Sequence, residues 1–282
     1  MGEYKKEQAV FDRMKDKDKS LYRIDRDKYL ADLDRPYVLY NMDDINRHIG
    51  VTVKFWWEKY IGRIEGKKVL DLGGGNSYHT PYWLSKGNFV VLTDISWGTL
   101  SINRNIIIET LRFPGKLIQN DAERLCFRKN AFDVINMNLF LHHVPSIPNV
   151  LKEAHGALKG DGHLLIVEPN HYFPLRFMYE CSFLRKYNPI NNFLSRTGHT
   201  GADDHGISYS KLIADVKNAG FEIEHIEYDR NFVCYAFGYF FPKAKWLIKA
   251  IYHIDRAIMA VMPRSLTNFI YIVARKKEAA KR

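Results

Sequence analysis

The stretch Lys67-Lys68-Val69-Leu70-Asp71-Leu72-Gly73-Gly74-Gly75-Asn76-Ser77 decides the fold. Its first half is a short apolar run, the pattern of a strand buried on both faces. Three glycines follow and let the backbone turn sharply and approach a ligand where a Cβ would obstruct it. A helical stretch, Thr80 to Lys86, comes next. Then comes Phe89-Val90-Val91-Leu92-Thr93-Asp94, a second buried strand that ends in an acid. Strand, glycine turn, helix, strand and terminal acid form a nucleotide-binding unit. Asp94, 23 residues beyond Asp71, can accept hydrogen bonds from ribose hydroxyls. Dinucleotide spacing counted from Gly73 needs a glycine where Tyr78 stands, and no Walker lysine is present to cradle phosphates. The spacing acid-x-Gly-x-Gly-x-Gly fits instead, with Ser77 in the last glycine's place.

Outward from this unit the alternation continues. A helix is predicted over Thr99 to Thr110, then strands at Lys116–Asp121 and Phe132–Met137. A helix after Pro148 and a strand at Gly162–Glu168 follow. Five such strands separated by helices predict an α/β protein with a parallel sheet covered on both faces. A helix at Lys211–Ala219 and strands at Phe221–Tyr228 and Phe269–Arg275 complete the set. Upstream, Ile45, Ile49, Val53, Trp56, Trp57, Tyr60 and Ile64 recur at helical spacing. Residues 1–64 are therefore expected to form a helical extension or cap on a main domain at 65–282. Two long pieces interrupt the alternation, at 169–210 and 229–268. Both leave the sheet where open parallel sheets bind ligands, and they are expected to form a lid.

The composition is that of a globular chain, 46% hydrophobic and 26% charged over 282 residues. Its net charge of +10 is not spread evenly: residues 1–229 carry 31 basic and 30 acidic side chains, and residues 230–282 carry 11 and 2. The excess belongs to the last stretch, where Lys243, Lys245, Lys249, Arg256 and Arg264 flank Phe237-Gly238-Tyr239-Phe240-Phe241. Rings beside lysines suit peripheral contact with an anionic membrane; a helical lid with solvated charges is the plainer reading. Cys126, Cys181 and Cys234 have no paired spacing, which argues against a disulfide framework and suits small buried hydrophobes in a reducing cytosol. The first residues lack a signal core, Lys6 breaks the myristoylation pattern, and the run Phe232–Phe241 is too short to span a bilayer. The expectation is a cytoplasmic protein, at most one that lies on a membrane.

Four ordered signatures carry a family resemblance: VLDLGGGNS, VVLTDIS, NDAERLCF and FDVINMNLFLHHV, all within Val69–Glu168. The segment resembles a class I S-adenosylmethionine-dependent methyltransferase of the small-molecule type. The resemblance implies a Rossmann-like, seven-stranded, mostly parallel sheet with helices on both faces, and S-adenosylmethionine as cofactor. It implies that Gly73, Gly74 and Gly75 form the turn beneath the methionine and ribose, and that Asp71 helps to hold the amino group. It places Asp94 on both ribose hydroxyls, Ile95 on the adenine, Asp121 with Ala122 at the adenine edge, and Asn138 near the methionine.

Methyl transfer from a sulfonium is an in-line displacement, so the protein chiefly aligns donor and acceptor and excludes water. A hydroxyl acceptor benefits from a general base. His142 and His143 follow the fourth strand, and Glu168 ends the fifth, its expected neighbour. A histidine oriented by a carboxylate is a candidate base, as is His205 in Asp204-His205 before the sixth helix. Helix capping or packing is the plainer role for the paired histidines. His171, His199, Asp203, Asp204 and His205 have no diagnostic ligand spacing, and no metal is assigned to them. Asn138-Leu139-Phe140-Leu141 stands where nucleic-acid amino-methylating enzymes carry a Pro-Pro-aromatic motif, so a nucleic-acid substrate is disfavoured. The expected acceptor is a lipophilic or aromatic small molecule or lipid, with oxygen slightly favoured. The alternatives are an RNA-directed enzyme, or a non-catalytic cofactor-binding partner, using the basic end.

Overall fold

The computed structural model describes residues 26–33, 56–75, 79–173, 206–228 and most of 250–277. Seven strands form one sheet in the order β3-β2-β1-β4-β5-β7-β6. They are β1 (Lys68–Leu72), β2 (Phe89–Asp94), β3 (Lys116–Gln119), β4 (Phe132–Asn138), β5 (Leu158–Pro169), β6 (Phe221–Tyr228) and β7 (Phe269–Lys276). β7 runs antiparallel to both β5 and β6, and the other pairings are parallel. The order reverses between β1 and β4, so a crevice opens beyond their C-terminal ends, where open α/β sheets take ligands.

Side chains alternate across the sheet as the pleat requires. Leu70, Leu72, Ile135, Leu164 and Ile166 face one core, closed by Val150, Leu151 and Ala154 of helix α5 (Ile147–Ala157) and Leu212 and Val216 of α6 (Tyr209–Asn218). Val69, Val90, Leu92, Val134 and Val273 face the other. There Trp83 of α3 (His79–Ser85) and Leu100 of α4 (Trp97–Asn103) pack with Trp56 and Trp57 from the N-terminal segment. That segment contributes α1 (Arg26–Leu33), whose Leu33 is buried in this core, and the short α2 (Glu58–Ile61). The predicted helix does not continue to Ile64: Gly62, at φ 70°, ends it after Ile61. Lys59 and Tyr60 of α2 reach Glu227 of β6 at 2.5 and 3.1 Å, which ties the extension to the far edge of the sheet.

Local chemistry sets the helix starts. Ser96 caps α4 by accepting from the Thr99 N–H at 3.1 Å, and Ser146 does the same for α5 with Pro148 in its first turn. After Asn103 the helix widens to π geometry over Arg104–Thr110, where Ile106, Ile107 and Ile108 stand in a row. β5 starts earlier than its apolar run, at Leu158, because Phe132 pairs with Leu158 before the register shifts. Cys126 is exposed rather than buried. Cys181 and Cys234 lie outside the described residues, as do His205 and the Phe237–Lys245 stretch, read either as a helical lid or as a membrane contact. Among the described residues no helix is long and apolar enough to cross a membrane.

The roots of both interrupting pieces meet at one residue. Asn170 is fully buried just past β5. Its N–H donates to the Asn268 carbonyl and its Nδ2 to the Thr267 carbonyl, both at 2.8 Å, and its Oδ1 accepts from the Tyr172 N–H at 3.0 Å. Ile207 N–H donates to the Pro169 carbonyl at 2.8 Å. Residues 173 and 206 are thus held close together, and the second piece rejoins the sheet beside them.

Candidate active site

The glycine turn after β1 adopts the conformation its sequence requires. Gly73 and Gly75 have φ of 64° and 47°, and Gly74 N–H donates to the Thr93 carbonyl at 3.0 Å, which pins the turn to β2. A Cβ on Gly74 would stand 2.9 Å from Leu92 Cγ, whereas one on Gly75 would meet, among the described residues, nothing closer than the Gly73 carbonyl at 3.9 Å. The turn is packed from below and open beside Gly75.

Asp71 is buried under it. One carboxylate oxygen accepts from Thr80 Oγ1 at 2.7 Å and the other from Asn136 Nδ2 at 2.8 Å. These bonds make Asp71 the brace between β1, β4 and α3. Asp94, at the end of β2, is partly exposed. Its Oδ2 accepts from Gly75 N–H at 3.1 Å and its Oδ1 from Ser96 N–H at 2.8 Å, so the carboxylate is fixed against the turn. Asn103, from the far end of α4, donates to the carbonyls of Gly75 and Thr99 and clasps the turn from its other side.

The β2 and β3 ends are stitched together by Asn120 N–H to the Asp94 carbonyl, 3.1 Å, and Gln119 Nε2 to the Ile95 carbonyl, 2.9 Å. Partly exposed Ile95 and Asp121 and buried Ala122 follow these ends, with Asp121 Oδ1 accepting from Glu123 N–H at 2.9 Å. Trp97 is 56% exposed beside them, a large apolar surface that invites a planar partner. Asn138 is partly exposed at the end of β4. The residues fit a nucleoside with a ribose diol: a bare turn, a fixed carboxylate and apolar surface next to it.

The C-terminal ends of β4 and β5 are joined through Glu168, which has no exposed surface. Its Oε1 accepts from the N–H groups of Phe140 and Leu141 at 2.8 and 2.6 Å, and its Oε2 lies 2.6 Å from His142 Nδ1. The expected meeting of the β4 and β5 ends is therefore present, in register through Asn138 and Val167. The His142 side chain is almost wholly covered, and the His143 ring lies tilted against it with ring centroids 3.9 Å apart. Between β4 and this short helical turn, Leu139 adopts φ 53° and is 42% exposed. Sequence reasoning missed Ser96, Asn103 and Phe140. Ser96 is signalled only by ending the VVLTDIS signature, Asn103 only as an ordinary helix residue, and Phe140 only by lying in the FLHH run. Among the described residues no group of three or more His, Cys, Asp or Glu side chains is placed to hold a metal.

A sheet of this order, with a braced glycine turn after β1 and a fixed carboxylate at the end of β2, is that of a class I S-adenosylmethionine-dependent methyltransferase domain. Residues 70–166 match the methyltransferase domain family, and the chain carries a domain of that family. A ubiquinone/menaquinone biosynthesis C-methyltransferase of Legionella pneumophila is 27% identical over 136 residues, 45% of this chain and 54% of that protein. One from Neisseria meningitidis is 33% identical over 121 residues, 41% of this chain and 49% of that protein. The chain thus matches about half the length of these curated relatives. An S-adenosylmethionine-dependent methyltransferase from Mesorhizobium loti shares the fold with a TM-score of 0.51 at 16% identity, over 76% of this chain and 92% of that one.

Proposed function

We propose that the protein transfers a methyl group from S-adenosylmethionine to an acidic hydroxyl of a lipophilic or aromatic small molecule. The observation that carries this reading is the Glu168–His142 pair, set beside the glycine turn at the C-terminal ends of β4 and β5. When bound, the cofactor supplies an electrophilic methyl, so the remaining task is to position the acceptor and remove its proton. A carboxylate on Nδ1 favours the tautomer with its proton there and makes Nε2 the basic nitrogen. His142 takes the acceptor proton and Glu168 acts on it as a positioning residue. The exposed side chains of Leu139 and Tyr172 support a greasy acceptor surface at this rim.

A second reading is favoured by the names of the relatives, which are C-methyltransferases. Removing a phenol proton also puts negative charge on the ring carbon ortho to it. Methylation there gives a cyclohexadienone; His142 returns its proton to the ring oxygen and, neutral again, takes the proton of the methylated carbon, so that one proton leaves per methyl transferred. Labelled methyl transfer into lipid and aqueous extracts, followed by identification of the product bond, separates oxygen from carbon. His142→Ala is expected to lower turnover by about 100-fold or more, with S-adenosylmethionine affinity within about threefold of the parent's, a change of under 1 kcal/mol. Unchanged turnover in His142→Ala, alongside a loss in His143→Ala, would move the base to the neighbouring ring; unchanged turnover in both removes the histidine mechanism.

A further inference from the structure

The ring of Phe140 lies directly on the glycine turn. A Cβ on Gly73 would come within 2.0, 2.3 and 2.6 Å of the adjacent ring atoms Cδ2, Cγ and Cε2. Only a glycine permits so close an approach. The ring is also held from behind: Phe140 N–H is bonded to buried Glu168, and Leu139 N–H donates to the Val167 carbonyl at 2.8 Å. Leu139 at φ 53° costs about 1–2 kcal/mol relative to ordinary backbone. Phe140 itself departs from helix and strand geometry, with φ −132° and ψ −40°. Strain of this kind persists where surrounding bonds over-determine a conformation. Here the bonds to Glu168 and Val167 do so, and the result is an aromatic ring fixed at Gly73.

We propose that Phe140 reads the positive charge of the sulfonium, so that the site distinguishes S-adenosylmethionine from its neutral thioether product, S-adenosylhomocysteine. The inference rests on the methyltransferase reading above and adds a residue that the glycine and acid motifs do not contain. A sulfonium carries no N–H or O–H, so ordinary hydrogen-bond pairing cannot recognise its charge. An aromatic ring can, because its quadrupole presents a negative face, and the attraction grows as water is excluded. Any part of a ligand seated on Gly73 sits beside this ring. The buried Glu168 carboxylate, 2.8 Å from the Phe140 nitrogen, adds negative potential close to the residue that carries the ring. Once the methyl has left, the charge is gone and the product loses this attraction, which favours its release.

Calorimetric titration of both ligands into the unaltered protein, Phe140→Leu and Phe140→Tyr tests the proposal without recourse to turnover. Phe140→Leu is expected to weaken S-adenosylmethionine by about 3- to 30-fold. S-adenosylhomocysteine should stay within about twofold, since it lacks the charge the ring attracts. Phe140→Tyr, which keeps the ring, should retain the parent's preference. Equal weakening of both ligands would make the ring a mere wall, and tighter binding of both would make it an obstruction; either result overturns the proposal. Unaltered protein that binds neither ligand overturns the methyltransferase reading itself, and this inference with it.

Discussion

The two halves of the sheet are built differently. In the cofactor half, β3-β2-β1-β4, short connections hold each functional group by backbone bonds: Gly74 to Thr93, Gly75 and Ser96 to Asp94, Asn120 to the Asp94 carbonyl. In the acceptor half, β5-β7-β6, two long pieces of chain leave the rim, and their roots converge on Asn170. The first half is a fixed receptor for a ligand that does not vary. Phe140 and Glu168 stand at the seam, one touching the glycine turn and the other ending β5.

The largest effect is expected from forcing the two halves apart at that seam. Gly73→Val puts carbon atoms into the Phe140 ring and a β-branched residue at φ 64°. Cofactor affinity should fall by at least about 100-fold, from overpacking and left-handed strain together. Calorimetry measures it, and binding within tenfold of the parent's would show that the ring moves aside freely. A smaller effect of another kind is expected from Asn170→Ala. It leaves the Tyr172 N–H without its Asn170 acceptor and takes one donor from the Thr267 carbonyl, which also accepts from Tyr209 Oη at 3.1 Å. Loss of these buried bonds should cost about 2–4 kcal/mol of stability in denaturant unfolding. Cofactor affinity should stay within about twofold, because Asn170 belongs to the other half and distant sites act independently. An equal loss of affinity would erase the distinction between the halves.

The same division governs what the sequence reveals. β2 and β6 have the limits their apolar runs predict, and the acid–glycine turn is legible because glycine takes φ values near 60° without steric cost. Asp71 reads as a ligand-facing acid, but the structure shows both its oxygens occupied by Thr80 and Asn136, contacts between residues 9 and 65 positions away that no local pattern announces. Glu168 and His142 are legible as neighbours through strand order. That Glu168 also binds two backbone N–H groups is not, since backbone partners leave no trace in side-chain identity. The helix after β2, predicted over Thr99–Thr110, starts two residues earlier at Trp97 and ends at Thr110, but its change to π geometry from Arg104 is not foreseen, because widening the turn leaves the apolar spacing nearly unaltered. The second interrupting piece carries an apolar stripe at helical spacing from Leu247 to Met262 and the first carries only scattered aromatics, so neither pattern assigns a role, and His205 stays an expectation.

The smallest expected effect is an acid-sensitive loosening confined to the acceptor half. His155, at the end of α5, is held below the ordinary histidine value of 6.5 by burial and then by the nearby Lys276 charge. His163, in β5, is also lowered, by burial first, with Arg275 adding to it and Glu224 at 3.4 Å opposing it. Both rings therefore bind protons less readily in the folded chain than in the unfolded one. The unfolded state takes up more protons as pH falls below about 6.5, so stability is complete above that pH and declines below it. Asp133, lowered from 3.8 because its bonds to Lys159 and the Lys68 N–H outweigh its desolvation, adds a loss of the same sign only in stronger acid. Hydrogen exchange compared at pH 7.5 and about 5.5, corrected for intrinsic rates, should show amides of β5, β6 and β7 losing protection before those of β1 and β2. His155→Gln should flatten the dependence, since a neutral amide cannot take up the proton. Loss of protection beginning in β1 and β2 instead would place the weaker half of the sheet on the cofactor side.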